Sequence, residues 1–310
     1  MQVHGISIED DHSHEPGPGA DPNWQESWFL GWYDPVKRAA GFHHVGIPRV
    51  RGRADLWHWV ALDGQIVARY QNLELPVPDG DMSDFELGPI HVRTKDPLRS
   101  YVLDTSHPEL GFTSEVAYEA FIDPFAFSLD AAGSDLGKAH YESLGRIRGT
   151  VTYNGESTDV SGFAFQDHSW GARHWGGMKA HRWACATFGD DLFASIFSFT
   201  SERGTSDFGY VFDRGTFHGI VSADFDARVD NQGILPRGAD IRVWCADDRG
   251  YRFTCPTIDV ASPSCHTEGF WIGDGYGVFE CGGRLGTGLL EVQELGAPLP
   301  HHRAWLGLDK

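Results

Sequence analysis

Two consecutive all-β domains, each an antiparallel barrel or sandwich with few helices, are the architecture this chain predicts, on three observations. Short apolar runs alternate with glycine- and aspartate-bearing turns along most of its length. The composition pairs turn formers with large strand formers: 38 glycines against 20 phenylalanines, 11 tryptophans and 9 tyrosines. No segment of useful length keeps a helical period, which argues against a doubly wound α/β fold. The 310 residues suffice for two domains or one large β domain.

Residues 1–23 are polar and rich in proline and glycine, which reads as a flexible arm. Structure is expected from Trp24, with an N-terminal domain over 24–145 and a C-terminal domain over 146–310. Asp55–Leu62 and Gln65–Tyr70 flank Asp63-Gly64, a strong hairpin signal. Ile90–Thr94 and Arg99–Asp104 flank Asp96-Pro97, and Thr113–Ile122 reads as another strand. Residues 133–145 hold the best helix candidate, placed as a short connector between the domains. Arg146–Tyr153, the turn Asn154-Gly155 and Val160–Gln166 follow. In the second half, Arg182–Phe188 and Leu192–Phe199 flank Gly189-Asp190-Asp191. In the latter run Phe193, Phe197 and Phe199 face one way and Leu192, Ala194 and Ile196 the other, as in a central strand. Asp207–Phe212, Thr216–Val221, Ala223–Val229, Asp240–Cys245, Tyr251–Cys255, Tyr276–Cys281 and Leu289–Glu294 complete the set.

The formal charge of −19 argues against nucleic acid and anionic membranes, which need clustered lysine and arginine. No apolar run is long enough to span a membrane, and the first twenty residues are too polar for an export signal. The five cysteines, at 185, 245, 255, 265 and 281, form no C-x-x-C pair. They are expected to be reduced thiols in a cytoplasmic protein, with a homodimer left open. Nucleotide and flavin signatures are missing, and glycine-rich 273–277 reads as a turn. No cofactor is expected.

The chemistry concentrates in residues 166–183. Gln166-Asp167-His168-Ser169-Trp170-Gly171-Ala172-Arg173-His174-Trp175, followed by His181-Arg182-Trp183, brings acid, base and flat π-faces into one segment. Asp167 near tryptophans at a strand end would be partly desolvated, which keeps a proton available for donation. Aromatic faces would stabilise a developing cation. His168 would tune Asp167 or partner it if the chain turns at Ser169–Gly171; on an extended strand the two would face apart. His168, His174 and His181 are spaced H-x5-H-x6-H, which matches no compact zinc signature, so no metal is expected. Glu26-Ser27-Trp28 resembles His168-Ser169-Trp170, a weak internal repeat that suggests two related domains.

The segment Asp167-His168-Ser169-Trp170-Gly171, with Arg173, Trp175 and His181-Arg182-Trp183, resembles the central motif of a family of lipocalin-like two-domain proteins. Hydroxyneurosporene synthase (carotenoid 1,2-hydratase) and the AttH-like proteins belong to it. Glu26-Ser27-Trp28 with Asp34-Pro35 resembles a bacterial branch of that group. The resemblance implies two lipocalin-like β domains and a cavity for a hydrophobic molecule. It also implies hydration or cyclisation of isoprenoids, or pericyclic chemistry on polyketide or alkaloid precursors, without a redox cofactor. Where the better-known pattern has Asp-x-Glu-Trp, this sequence carries Ser169 at the glutamate position. The function expected is a cofactor-independent lyase or isomerase acting on an isoprenoid- or polyketide-like molecule, with a lipid or terpenoid carrier as the alternative. Asp167 and His168 are the expected catalytic pair. Trp170, Arg173, Trp175, His181, Trp183, Glu26 and Trp28 are the expected substrate contacts.

Overall fold

Strict alternation of buried and exposed residues over Phe112–Ala120 and Ser100–His107 marks strands with one face in a core and one in water. The computed structural model describes residues 6–127, 137–174, 178–265 and 271–294. All its long elements are strands, and its described helices are single 3-10 turns such as Ile8–Asp11. The chain divides into two compact units, Met1–His174 and Trp175–Lys310.

Unit 1 holds β1 (Trp24–Asp34), β2 (Ala39–Ile47), β3 (Ala54–Leu62), β4 (Gln65–Leu75), β5 (Gly80–Asp81), β6 (Asp84–Leu87), β7 (Ile90–Asp96), β8 (Ser100–His107), β9 (Phe112–Ala120), β10 (Phe125–Phe127), β11 (Ala139–Tyr153) and β12 (Glu156–Ala172). They form one antiparallel sheet in the order β4-β3-β2-β1-β12-β11-β9-β8-β7-β6-β5, with β10 added on β11. The sheet curls into a barrel around Trp28, Leu30, Val60, Phe85, Tyr101, Val116 and Ile147. A cleft of about 630 Å³ opens where its two ends approach, lined by Leu75 and Val77 from one end, Phe85 and Leu87 from the other, and the acids Asp79, Asp84 and Glu86.

Unit 2 holds β13 (Met178–Thr187), β14 (Leu192–Ser201), β15 (Gly204–Asp213), β16 (Thr216–Val229), β17 (Pro236–Cys245), β18 (Gly250–Cys255), β19 (Ile258–Cys265), β20 (Trp271–Cys281) and β21 (Arg284–Glu294). Its sheet runs β18-β17-β16-β15-β14-β13-β21-β20-β19, and β18 also pairs with β20, drawing it towards closure. Ala194, Ile196, Val211, Ile241, Phe253 and Leu290 share its core. The two sheets are lipocalin-like barrels, as the fold class expected.

Several expectations change. The boundary expected near 145 falls inside β11, and the division lies at His174/Trp175. Of the helix expected over 133–145, residues 139–145 are strand and 133–136 lie outside the described residues. Tyr141 and Ser143 alternate with His140, Glu142 and Leu144, and all five are buried. A strand buried on both faces, with polar His140, Glu142 and Ser143 among its buried residues, shows no polar–apolar period of two, which is why the pattern misleads. The glycine-rich stretch 273–277 lies within β20 instead of forming a turn. There a Cβ at Gly273 would sit 1.9 Å from the Ile234 carbonyl oxygen.

The segment before Trp24, expected as a flexible arm, is anchored to the barrel through residues 11–14. Asp11 is buried, His12 Nδ1 lies 2.9 Å from Asp81 and the Met82 amide donates to Ser13 Oγ at 3.0 Å. The internal repeat has a different meaning too. β1 and β12 are antiparallel neighbours with Ser27 opposite Ser169, Glu26 opposite Trp170 and Trp28 opposite His168. The two similar tripeptides are cross-strand partners within unit 1, not equivalent positions of two domains.

Candidate functional site at one end of the first barrel

The site begins with the pleat of β1 and β12. Successive side chains on a strand face opposite ways, so Glu26 and Trp28 enter the barrel from β1, and His168 and Trp170 enter at the same end from β12. Glu26 and His168 have no exposed side-chain surface. His168 Nε2 lies 3.1 Å from Glu26 Oε1. The same oxygen accepts the His14 backbone amide at 2.8 Å and lies 3.0 Å from His14 Nδ1. Glu26 Oε2 accepts from Arg49 Nη2 at 3.2 Å and Nε at 3.3 Å. Burial alone would raise the Glu26 pKa, but the hydrogen bonds from His14 and His168 outweigh it and hold the carboxyl at about 2.

An inner layer orients these groups. Tyr101 and Tyr141 hydroxyls both donate to Asp11 Oδ1 at 2.6 Å. The Tyr141 oxygen lies 3.5 Å from His168 Nδ1. Burial, first, and the Asp11 carboxylate push both phenols well above their ordinary range. The His14 ring stacks on Trp170 with centroids 3.7 Å apart and planes 11° from parallel. Trp28 is fully buried, edge-on to Phe85 at 6.1 Å, and its Nε1 has no hydrogen-bond partner among the described residues. Phe85 also lines the cleft at the barrel seam, so one ring separates that cleft from Trp28.

Asp167 does not join this cluster. β12 runs extended through residues 167 and 168, so the turn needed for a shared cavity is not there and the expected Asp167–His168 pair does not form. Asp167 faces the opposite side of the sheet, beside Phe29 and Glu142 on the neighbouring strands. Arg173 is buried on that side. It donates to Ser169 Oγ and is charge-coupled to Asp167 and Asp55; burial lowers its pKa to about 10 against their opposing pull. Burial likewise pushes His140 down to about 4 and His44 down to about 3, and raises Asp55 to about 7 against the attraction of Arg53 and Arg173.

The remaining expected contacts are dispersed. His181 and Trp183 belong to unit 2. His181 Nε2 lies 2.8 Å from Glu291 Oε1. Trp183 Nε1 donates to Ser195 Oγ at 3.1 Å, and its ring stacks on Phe197 at 5.3 Å. Trp175 lies outside the described residues. His14, Asp11, Arg49, Tyr101 and Tyr141 were not anticipated. The acids and histidines of residues 9–14 are visible in the sequence, but their polarity read as solvation.

Comparison with known proteins bears on the fold. The sequence matches a domain family of unknown function, DUF7064, over residues 7–295. The chain belongs to that family. No curated protein matches it. Among solved structures, an AttH protein from Nitrosomonas europaea is similar at 16% identity and TM-score 0.63, covering 90% of this chain and 99% of that one. Kievitone hydratase from Nectria haematococca is similar at 12% identity and TM-score 0.64, covering 94% of this chain and 93% of that one. CghA is similar at 13% identity and TM-score 0.57, covering 90% of each chain. At these identities the likeness is one of fold, shared with AttH-like proteins. Among the described residues no helix is long and apolar enough to cross a membrane.

Proposed function

We infer that the protein is a lyase or isomerase that adds or removes water, or closes a ring, on an apolar small molecule without redox chemistry. The observation that carries the reading is the buried Glu26–His168 contact at 3.1 Å beside the π-faces of Trp170 and Trp28. A carboxylate locked by several donors holds an imidazole in one orientation, which suits an acid–base group. Indole faces can stabilise positive charge developing on a carbon skeleton. The seam cleft, of the size that takes small ligands, offers a route past Phe85. The hydratase with the similar fold is consistent with this chemistry. Isoprenoid- or polyketide-like alkenes are the substrate class that suits indole faces beside a proton donor. The dispersed residues Asp167 and Arg173 are assigned a structural part on the outer face.

The test is incubation with a panel of polyprenyl and polyene compounds in deuterated and in oxygen-18 water, read by mass spectrometry. A product gaining one water, or an isomer carrying deuterium at carbon, is expected. His168→Gln should lower its formation by about 10²- to 10⁴-fold while the thermal melt holds. Ligand retention without any turnover would make the protein a carrier.

A further inference from the structure

Proton accounting at the barrel end leads further. Tyr141 commits its single hydroxyl proton to Asp11 at 2.6 Å, so its oxygen can only accept from His168 Nδ1, 3.5 Å away. His168 Nε2 lies 3.1 Å from the Glu26 carboxylate, so both of its nitrogens face oxygens. His14 is placed the same way: Nδ1 lies 3.0 Å from Glu26 Oε1, and Nε2 lies 3.7 Å from Asp10 Oδ1. Both imidazoles thus face oxygens on both nitrogens. Charge points the same way. Asp10, Asp11, Glu15 and Glu26 gather here, and the cation facing them is Arg49, bound to Glu26 and 3.4 Å from Glu15.

We propose that His14 Nδ1, Glu26 Oε1 and His168 Nε2 are the ligands of a divalent transition-metal ion, with zinc the best match to two imidazoles and one carboxylate. The three donor atoms lie within 4.8 Å of one another. Donors around a tetrahedral zinc sit about 3.3 Å apart for bonds of about 2.0–2.1 Å, so the 3.0 and 3.1 Å separations from Glu26 need to open by only a few tenths of an ångström. A divalent ion would offset the charge of the carboxylates gathered here. Outer oxygens of the kind that orient metal-bound imidazoles are close by: Asp10 Oδ1 lies 3.7 Å from the far nitrogen of His14, and the Tyr141 hydroxyl, bound to Asp11, lies 3.5 Å from that of His168. The ligands come from a segment before the first strand, from β1 and from β12. The H-x5-H-x6-H spacing, which shares only His168 with this set, therefore did not reveal it.

The proposal rests on the reading of this end as the reactive one and changes one part of it. A water on the ion's open position, with its pKa lowered towards about 7, takes the place of His168 as the group that gives or takes the proton.

The test uses the full-length protein with Zn²⁺ or Co²⁺ alone. After chelation and reloading, elemental analysis should give one zinc per chain, and zinc should raise the melting temperature. Cobalt should give the visible absorption of a four- or five-coordinate site. His14→Ala should lose the cobalt absorption and the zinc-induced shift while keeping the melt of the metal-free protein. His14 is half-buried and outside the sheets, which makes it the gentlest of the three positions, and the wild-type loading stands alone should it misfold. Sub-stoichiometric zinc, no cobalt absorption and no thermal shift in the wild type would overturn the proposal; so would binding that survives both His14→Ala and His168→Ala. Turnover of the alkene panel by metal-free protein would overturn the metal and keep the lyase reading. A metal-loaded protein without turnover would do the reverse.

Discussion

Glu26 and Asp55 are buried carboxylates two strands apart in one sheet, on opposite faces, and they hold their protons oppositely. Glu26 faces the barrel interior, where donors from His14, His168 and Arg49 keep it ionised at about 2. Asp55 faces outward, its Oδ1 has no hydrogen-bond partner among the described residues, and burial raises it to about 7. Burial is common to both; the supply of donors decides the outcome. The inner face is therefore organised around fixed charge, whereas the outer face holds a carboxyl near the midpoint of its titration at neutral pH.

The sharpest break in this comparison is catalytic. His168→Gln and Glu26→Gln should each lower turnover by about 10²- to 10⁴-fold, while Asp167→Asn, one residue along but facing outward, should change it by less than about tenfold. Parallel rate measurements and thermal melts on the three variants decide it. Equal losses at 167 and 168 would mean that the pleat does not separate the two roles.

Acid should produce the next largest effect. Burial pushes His43 and His44 down to about 3 and His140 to about 4, against about 6.5 when unfolded. Their folded pKa is depressed, so the stability they contribute is complete above pH 6.5 and is lost as pH falls towards 3–4. Each should cost roughly 1.4 kcal/mol per pH unit in that window. Urea unfolding at pH 7 and pH 4.5 should differ by several kcal/mol. An unchanged midpoint would mean that these rings are protonated in the folded protein.

Asp55 should behave with the opposite sign. Its folded pKa is raised, so the stability tied to its proton is present below about 3.8 and is lost as pH rises through about 7. Asp55→Asn should raise stability at pH 8 by roughly 1–3 kcal/mol and have little effect at pH 4. Thermal melts across that range read the crossover directly. An effect of similar size is expected at Gly171, where φ is +126° and a Cβ would lie 2.2 Å from the Lys138 amide nitrogen. Gly171→Ala should lower stability by about 1–3 kcal/mol, and an unchanged melt would mean that β12 ends without strain there.

These contrasts also mark what the sequence discloses. Asp63-Gly64 and Asn154-Gly155 do turn hairpins, between β3 and β4 and between β11 and β12, because positive φ leaves few residue choices. Glu26 and His168 stand out because rare residue types repeat in similar tripeptides. Their antiparallel pairing leaves no periodicity that a sequence could show. His14, Asp11, Tyr101 and Tyr141 are brought together by long-range packing, so each reads alone as an ordinary polar or core residue. Asp167 misled for a different reason: adjacency in sequence reads as proximity, whereas a pleated strand makes adjacent side chains strangers.

The anchoring of residues 11–14 changes what counts as a minimal protein here. Every strand of both sheets begins at or after Trp24, so a chain trimmed to that point would keep its whole scaffold and look intact by circular dichroism. It would nevertheless have lost the acceptor shared by two buried phenols and one of the two imidazoles on Glu26. For this fold the scaffold and the candidate site should be separable by proteolysis. A preparation nicked near its amino terminus would be folded and inert, and a structural assay would pass what an assay of function rejects.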